Sequence, residues 1–473
     1  MIMIFRFSFF ILLTVNPDSC FSQNSDLLSA TISGQMNAGE NRIYLIEEDL
    51  KSYQFQKFSK EDLKKDLIAL FNKMDSTHYN LYHKHSKEDF KAKHAQLILG
   101  ITDSMNLFEF YYHSLPLFDM IVDAHSLLVF PFSYTREYES QGGKFIPIEV
   151  KIKNGQIYIE KNHAQQAIPC YSQVIAVNNV TSKDIIEKLS IQASYERVQS
   201  EDKYMSLFFR RILYPLYGFD KNYDVLIITP EGKERLISLK GITSNVFRKE
   251  KEPYYSFHTI GDSVGVIDIN LCEGRYQFSS FCDSVFTLLK EKNIPNLIID
   301  VRDNGGGSSF HGDTLFTYIT DKKFTQYGRV KLKMSPMVNS DLETIHFEKY
   351  RKHKARSYYN PKLFQGDVYM IANQNSFSSA TMLAATFKCY NMGTLVGEET
   401  GGVEVFFDEP IVMSLPHTGI RFLASYQYRQ CPCGKRLDRG ITPDFDIDWS
   451  AKDKIDGVDT ELEFILNLIG EKR

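Results

Sequence analysis

From about residue 255 to the end the chain alternates short apolar runs with segments of helical period. That alternation restricts what it can fold into more than any other feature. Ser263 to Ile269 reads as a strand, Ser279 to Lys292 as a helix, and Leu297-Ile298-Ile299-Asp300-Val301 as a buried strand. A strand at 367–372, a helix at 380–390 and a strand at 394–397 follow. Strands regularly separated by helices predict an α/β domain with a mostly parallel core.

Two of these strands run into polar turns. After Asp300-Val301-Arg302 come Asp303-Asn304-Gly305-Gly306-Gly307-Ser308-Ser309. Glycine permits φ > 0 and lets backbone N–H groups approach a ligand closely. A plain tight turn and an anion-binding cradle are both consistent with three glycines. The loop lacks the Lys-Ser/Thr ending of a P-loop and the spacing of a dinucleotide fingerprint. After Val368-Tyr369-Met370-Ile371-Ala372 comes Asn373-Gln374-Asn375-Ser376-Phe377-Ser378-Ser379-Ala380-Thr381, leading into a helix. A serine there is either a helix N-cap or an exposed nucleophile beside free amides.

The first half is organised differently. Ser59-Lys60-Glu61-Asp62 reads as a helix start, and Leu63, Leu67, Ile68 and Phe71 recur at helical spacing. Helices over Lys87–Ile98 and Leu107–Ile121 complete a helical domain at 58–130. Just before its end lies Asp123-Ala124-His125-Ser126. A histidine there, brought to Ser378 by folding, can act as general base. Residues 145–240 form a small β-rich module: an alternating strand at 146–152, a hairpin turn at Asn154-Gly155, further short strands and a helix at Ser182–Leu189. His83-Lys84-His85 lacks flanking ligands and reads as a solvated turn.

Composition narrows the function classes. A net charge of −4 with no basic block does not suggest a nucleic-acid partner. The 473 residues suffice for two or three domains. Residues 1–22 carry Arg6, then Phe9 to Val15, then Pro17 and Cys20-Phe21-Ser22. This reads as a cleaved export signal, and the protein is expected in the periplasm or outside the cell. The apolar run is too short for a stable membrane span. Lipoprotein anchoring through Cys20 is the lesser alternative. Residues 23–57 form an N-terminal extension with a strand-like run at 43–46. Cys170, Cys272, Cys282 and Cys389 read as buried structural thiols. Cys431-Pro432-Cys433 could pair with other cysteines in an oxidising compartment. No metal site is expected.

The content and order of these elements resemble the S41 serine peptidases. That family comprises C-terminal processing and tail-specific proteases, tricorn core peptidases and chlamydial protease-like enzymes. The carrying motifs are Asp123-Ala124-His125-Ser126, the strand and glycine loop 297–307, Phe377-Ser378-Ser379-Ala380-Thr381, Leu395-Val396-Gly397-Glu398-Glu399-Thr400-Gly401-Gly402, and Gly440-Ile441-Thr442-Pro443-Asp444. The resemblance covers roughly residues 60–450. It implies a ClpP/crotonase-like α/β catalytic domain at 255–450 with a C-terminal helix at 451–473. It also implies that 145–240 is a PDZ-like module, with Ser172 to Asn179 degenerate relative to the usual motif.

By the same resemblance the nucleophile lies nineteen residues ahead of Gly397, which is Ser378. The amides of Ser379 and of one of Gly305, Gly306 and Gly307 would form the oxyanion hole. One branch of the family uses a lysine twenty-five residues after the serine, but that position holds Val403. The other branch uses a histidine from the N-terminal part with a carboxylate near the C-terminal motif. His125 takes the first role and Asp438 the second, an aspartate where that branch commonly has glutamate. His311 is the alternative imidazole. The implied function is an exported serine endopeptidase acting on peptides or unfolded proteins without a cofactor. A catalytically inactive peptide- or lipid-binding protein on the same scaffold is the alternative. A thioester-handling enzyme is a third reading, for which no basic coenzyme site is found.

Overall fold

The computed structural model describes residues 32–33, 56–191, 198–247, 253–336, 338, 359–448 and 450–471. The export signal, Cys20 and the strand-like run at 43–46 lie outside the described residues, as does most of the N-terminal extension.

The alternating segments build a seven-stranded sheet. Its order is Ile32–Ser33, Tyr255–Ile260, Val264–Ile269, Asn296–Asp300, Asp367–Ala372, Thr394–Gly397 and Phe445–Asp446. From Val264 onward neighbouring strands pair in parallel. Asn296–Asp300 and Asp367–Ala372 are apolar along almost their whole length because both faces are covered. One face packs on the helices Arg275–Glu291 and Ser379–Cys389. The other receives Ile465 and Ile469 of the C-terminal helix Thr460–Glu471. Arg302 ties that helix down, bonding Asp300, Asp459 and Glu461. The helix expected from Ser279 starts at Arg275, because Gly274 at φ 69° ends the preceding loop in a conformation that favours glycine.

A second sheet carries the long hairpin Val405–Ser414 and Arg421–Gln430, with Arg329–Leu332 on its edge. The sequence reading assigned no strands there. Asp408, Glu409, Pro410, Gln427 and Arg429 are residues that strands disfavour, and they hide the pattern. One face of the hairpin buries Ile411, Met413, Phe422 and Tyr426 against Leu67, Phe110, Leu117 and their neighbours in the helical domain. The helices there are Lys60–Thr77, Lys87–Gly100 and Leu107–Asp119, each capped by the side chain of Ser59, Ser86 or Asn106. The β-rich module at 145–240 has its own core and a mainly antiparallel sheet that includes Ile148–Lys153, Gln156–Asn162, Gln173–Val177, Asn222–Ile228 and Glu234–Lys240. Besides the expected helix at Ser182–Ser190 it contains a second, Val198–Tyr217.

Candidate active site

Ser378 sits where the strand Asp367–Ala372 turns into the helix Ser379–Cys389. Its backbone is at φ 54°, ψ −116°, a strained conformation for a residue with a Cβ. Although it occupies the N-cap position, its side chain makes no capping hydrogen bond. The cap explanation of this serine is therefore removed.

The neighbouring serines hold the turn together. Ser376 Oγ donates to Val301 O at 2.7 Å and accepts from Asn373 N at 3.0 Å. Ser379 Oγ donates to Gly307 O at 2.6 Å. Ser378 Oγ instead lies 3.1 Å from His125 Nε2. Residues 253 apart in sequence thus come within hydrogen-bond reach.

The helical lobe delivers His125 by extending the second sheet. Leu127 O accepts from Leu423 N, Val129 N donates to Arg421 O, and Leu128 bridges Phe422. Ser126 Oγ accepts from Ser425 N at 2.9 Å. The imidazole is stacked between Phe377, 4.7 Å away, and Phe406, 5.7 Å away. These rings limit its rotation and exclude water from its faces.

Asp123, wholly buried, accepts from His125 N through Oδ1 at 2.9 Å. The same oxygen is 3.8 Å from His125 Nδ1. Its Oδ2 is 3.0 Å from His78 Nε2. Burial alone would push this carboxyl up, but the hydrogen bond from His78 and the charge of His125 outweigh it and hold it at about 2. The stabilisation from ionised Asp123 is complete above the unfolded value near ~4 and disappears as pH falls through about 2. Asp123→Asn is expected to flatten the stability curve between those limits, a component of about 2 kcal/mol. Urea midpoints from pH 2 to 6 check this.

A second carboxylate, Asp408, also acts electrostatically on His125. Burial pushes it up to about 6, against the charge of Arg429, whose Nε is 2.5 Å away. Sequence reasoning missed both His78 and Asp408. His78 follows a helix end and Asp408 sits in an unrecognised strand, so neither carried a motif.

Asp438 is placed elsewhere. Its side chain is 57% exposed and bonds Arg436 at 3.2 Å. The expectation that it orients His125 gains nothing from this geometry: the carboxylates that act on the imidazole are Asp123 and Asp408. His311, the alternative imidazole, is buried. Its Nε2 lies 2.8 Å from Glu273 O and its Nδ1 3.1 Å from Ser308 O, and burial lowers its pKa to about 4. His83, expected in a solvated turn, packs its ring 4.8 Å from Phe407.

The glycine loop is stitched to the serine turn. Phe377 N donates to Asn304 O, and Asn304 Nδ2 donates to Ile269 O at 2.8 Å. Gly306 N donates to Asn304 Oδ1 at 2.8 Å. That amide is committed, which leaves Gly305 and Gly307 of the three glycines. Gly306 has φ +102°, and a Cβ there would lie 2.7 Å from Ser378 Cβ and 2.9 Å from Phe377 O. Gly306→Ala is therefore expected to lower peptide hydrolysis by at least about 100-fold, as if an oxyanion donor were displaced. Steady-state kinetics with a melting curve checks it. Ser379 is the first residue of its helix, so its N–H has no partner four residues back within the helix.

Of the cysteines expected as buried thiols, Cys272 and Cys282 are so, whereas Cys170 is disulfide-bonded and Cys389 forms a disulfide with Cys433. That bond ties the end of the serine helix to the loop leading to Asp438. Among the described residues no helix is long and apolar enough to cross a membrane.

Residues 263–447 match the family model of peptidase family S41. Residues 263–447 are therefore a peptidase family S41 domain, which supports a serine-type peptidase. Among solved structures it is similar to mature CPAF, with 14% identity and a TM-score of 0.63, over 87% of this chain and 97% of that one. Mature CPAF complexed with lactacystin gives 13% identity and 0.61, over 87% and 98%. At such identities the likeness is one of fold. No curated protein matches the chain.

Proposed function

We propose that this peptidase is an exported endopeptidase that hydrolyses peptides or unfolded proteins through an acyl-enzyme on Ser378. The observation that carries the reading is the 3.1 Å approach of His125 Nε2 to Ser378 Oγ. His125 takes the hydroxyl proton as Oγ attacks the peptide carbonyl, then gives it to the leaving amine. The amide of Ser379 and one from Gly305 or Gly307 stabilise the oxyanion, each worth about 3 kcal/mol. Asp123 fills the part that Asp438 was expected to play, supporting the imidazolium that forms in the transition state. Its 3.8 Å separation from Nδ1 is electrostatic reach.

The Cys389–Cys433 bond favours export, since such bonds persist in oxidising compartments. A fluorophosphonate probe is expected to label the protein, and the label to vanish in Ser378→Ala. Labelling that persists in that variant overturns the assignment. Saturable peptide binding without any labelling would favour the inactive binding protein instead.

A further inference from the structure

We infer that His78 is a positioning residue for this reaction: it fixes Asp123, and through Asp123 the ring of His125. The inference rests on the Ser378–His125 reading. It adds a residue that lies outside the segment 263–447 and outside every motif in the sequence.

Asn80 N donates to His78 Nδ1 at 3.2 Å. An acceptor nitrogen carries no proton, so the proton of the neutral ring is on Nε2. Nε2–H then donates to Asp123 Oδ2 at 3.0 Å. His78 and Asp123 are both without solvent exposure. With Oδ2 held this way, Oδ1 is left to His125, through its backbone N–H at 2.9 Å and its ring at 3.8 Å. One carboxylate, bonded also by Ser126, thus joins two histidines, one fixed and one facing Ser378. Second partners of this type orient the group that does the chemistry.

The surroundings of His78 hold it as firmly as a positioning residue requires. Its ring meets Phe407 edge-on at 5.1 Å and lies parallel to that of His83 at 6.4 Å. Its carbonyl accepts from Lys333 Nζ at 2.9 Å, and the next residue's N–H donates to Ser425 O. Ser425 also bonds Ser126, next to His125. His78 and His125 are therefore referenced to the same residue of the strand Arg421–Gln430. The charged or titratable side chains facing the pair are Asp123, Asp408, His83 and, through backbone carbonyls, Lys333.

A ring that merely fills space is separable from one that donates. His78→Phe keeps the packing on Phe407 and removes the donor. His78→Gln keeps a donor at similar reach. The expected result is that His78→Phe lowers kcat by roughly 10–100-fold with KM little changed. The acid limb of its kcat/KM profile moves, because Asp123 no longer presents one fixed charge to His125. His78→Gln stays within about 3-fold of the parent. Wild-type rates and an unmoved acid limb in His78→Phe, in a protein that fluorophosphonate still labels at Ser378, overturn the inference and leave the Ser-His reading standing. Absence of labelling in the parent protein sinks both. If His78→Phe does not fold, ¹⁵N NMR of the parent protein decides: a neutral Nε2–H ring supports the inference, and an Nδ1–H ring overturns it.

Discussion

Ser378→Ala is expected to fold normally and to hydrolyse peptide bonds about 10⁶-fold more slowly than the parent chain. The magnitude follows from what remains. Without the hydroxyl there is no acyl-enzyme, and His125 has nothing to deprotonate except water. The backbone donors at Ser379 and the glycine loop persist and keep some acceleration over water. Stability should hold or rise, because the Ser378 backbone is strained and its Oγ makes no capping bond that the substitution would remove. Ser376→Ala supplies the contrast. Its hydroxyl bonds Val301 O and Asn373 N, so that variant is expected to lose stability, by about 1–3 kcal/mol. Kinetics and denaturant titration on the two variants separate a nucleophile from a structural hydroxyl. Equal losses of rate without loss of stability in both would count against Ser378.

His125→Ala is the second large effect, and its size lies in its failure to add. Alone it is expected to cost nearly as much as Ser378→Ala, and the double variant no more than either. Two groups that act as one unit behave so, because the serine without its base is an ordinary alcohol. The His125 ring also fills the space between Phe377 and Phe406, so His125→Gln is the better probe of chemistry alone. A double variant slower than each single one by the product of their effects would falsify the pairing.

The sequence carried the α/β core well because strands buried on both faces leave unbroken apolar runs, as in Leu297 to Val301 and Val368 to Ala372. It also pointed to Ser378 and His125, whose surrounding motifs are local. It did not carry the hairpin 405–430. There Asp408 accepts from Gln427 and pairs with Arg429 inside the protein, so buried strands look like loops. For the same reason the sequence offers Asp438, and not Asp123, as the carboxylate beside His125. A carboxylate's service to an imidazole depends on burial and partners, and neither Asp123 nor Asp438 shows these in one dimension. His78 lies furthest from view, as its role depends on Asn80, Asp123 and Ser425 meeting around it.

His125 reaches its place because Leu127, Leu128 and Val129 pair along the edge of the strand Arg421–Gln430. The segment 263–447 holds Ser378, the proposed nucleophile, but does not hold His125, its proposed base. Competence is therefore a population, namely the fraction of molecules in which residues 123–129 are laid along Arg421–Gln430. Observed turnover scales with that fraction. Once the docked state no longer predominates, every further 1.4 kcal/mol or so lost from the edge pairing silences about nine in ten of the remaining active molecules. Loosening this seam is thus expected to lower turnover without any change at Ser378 itself.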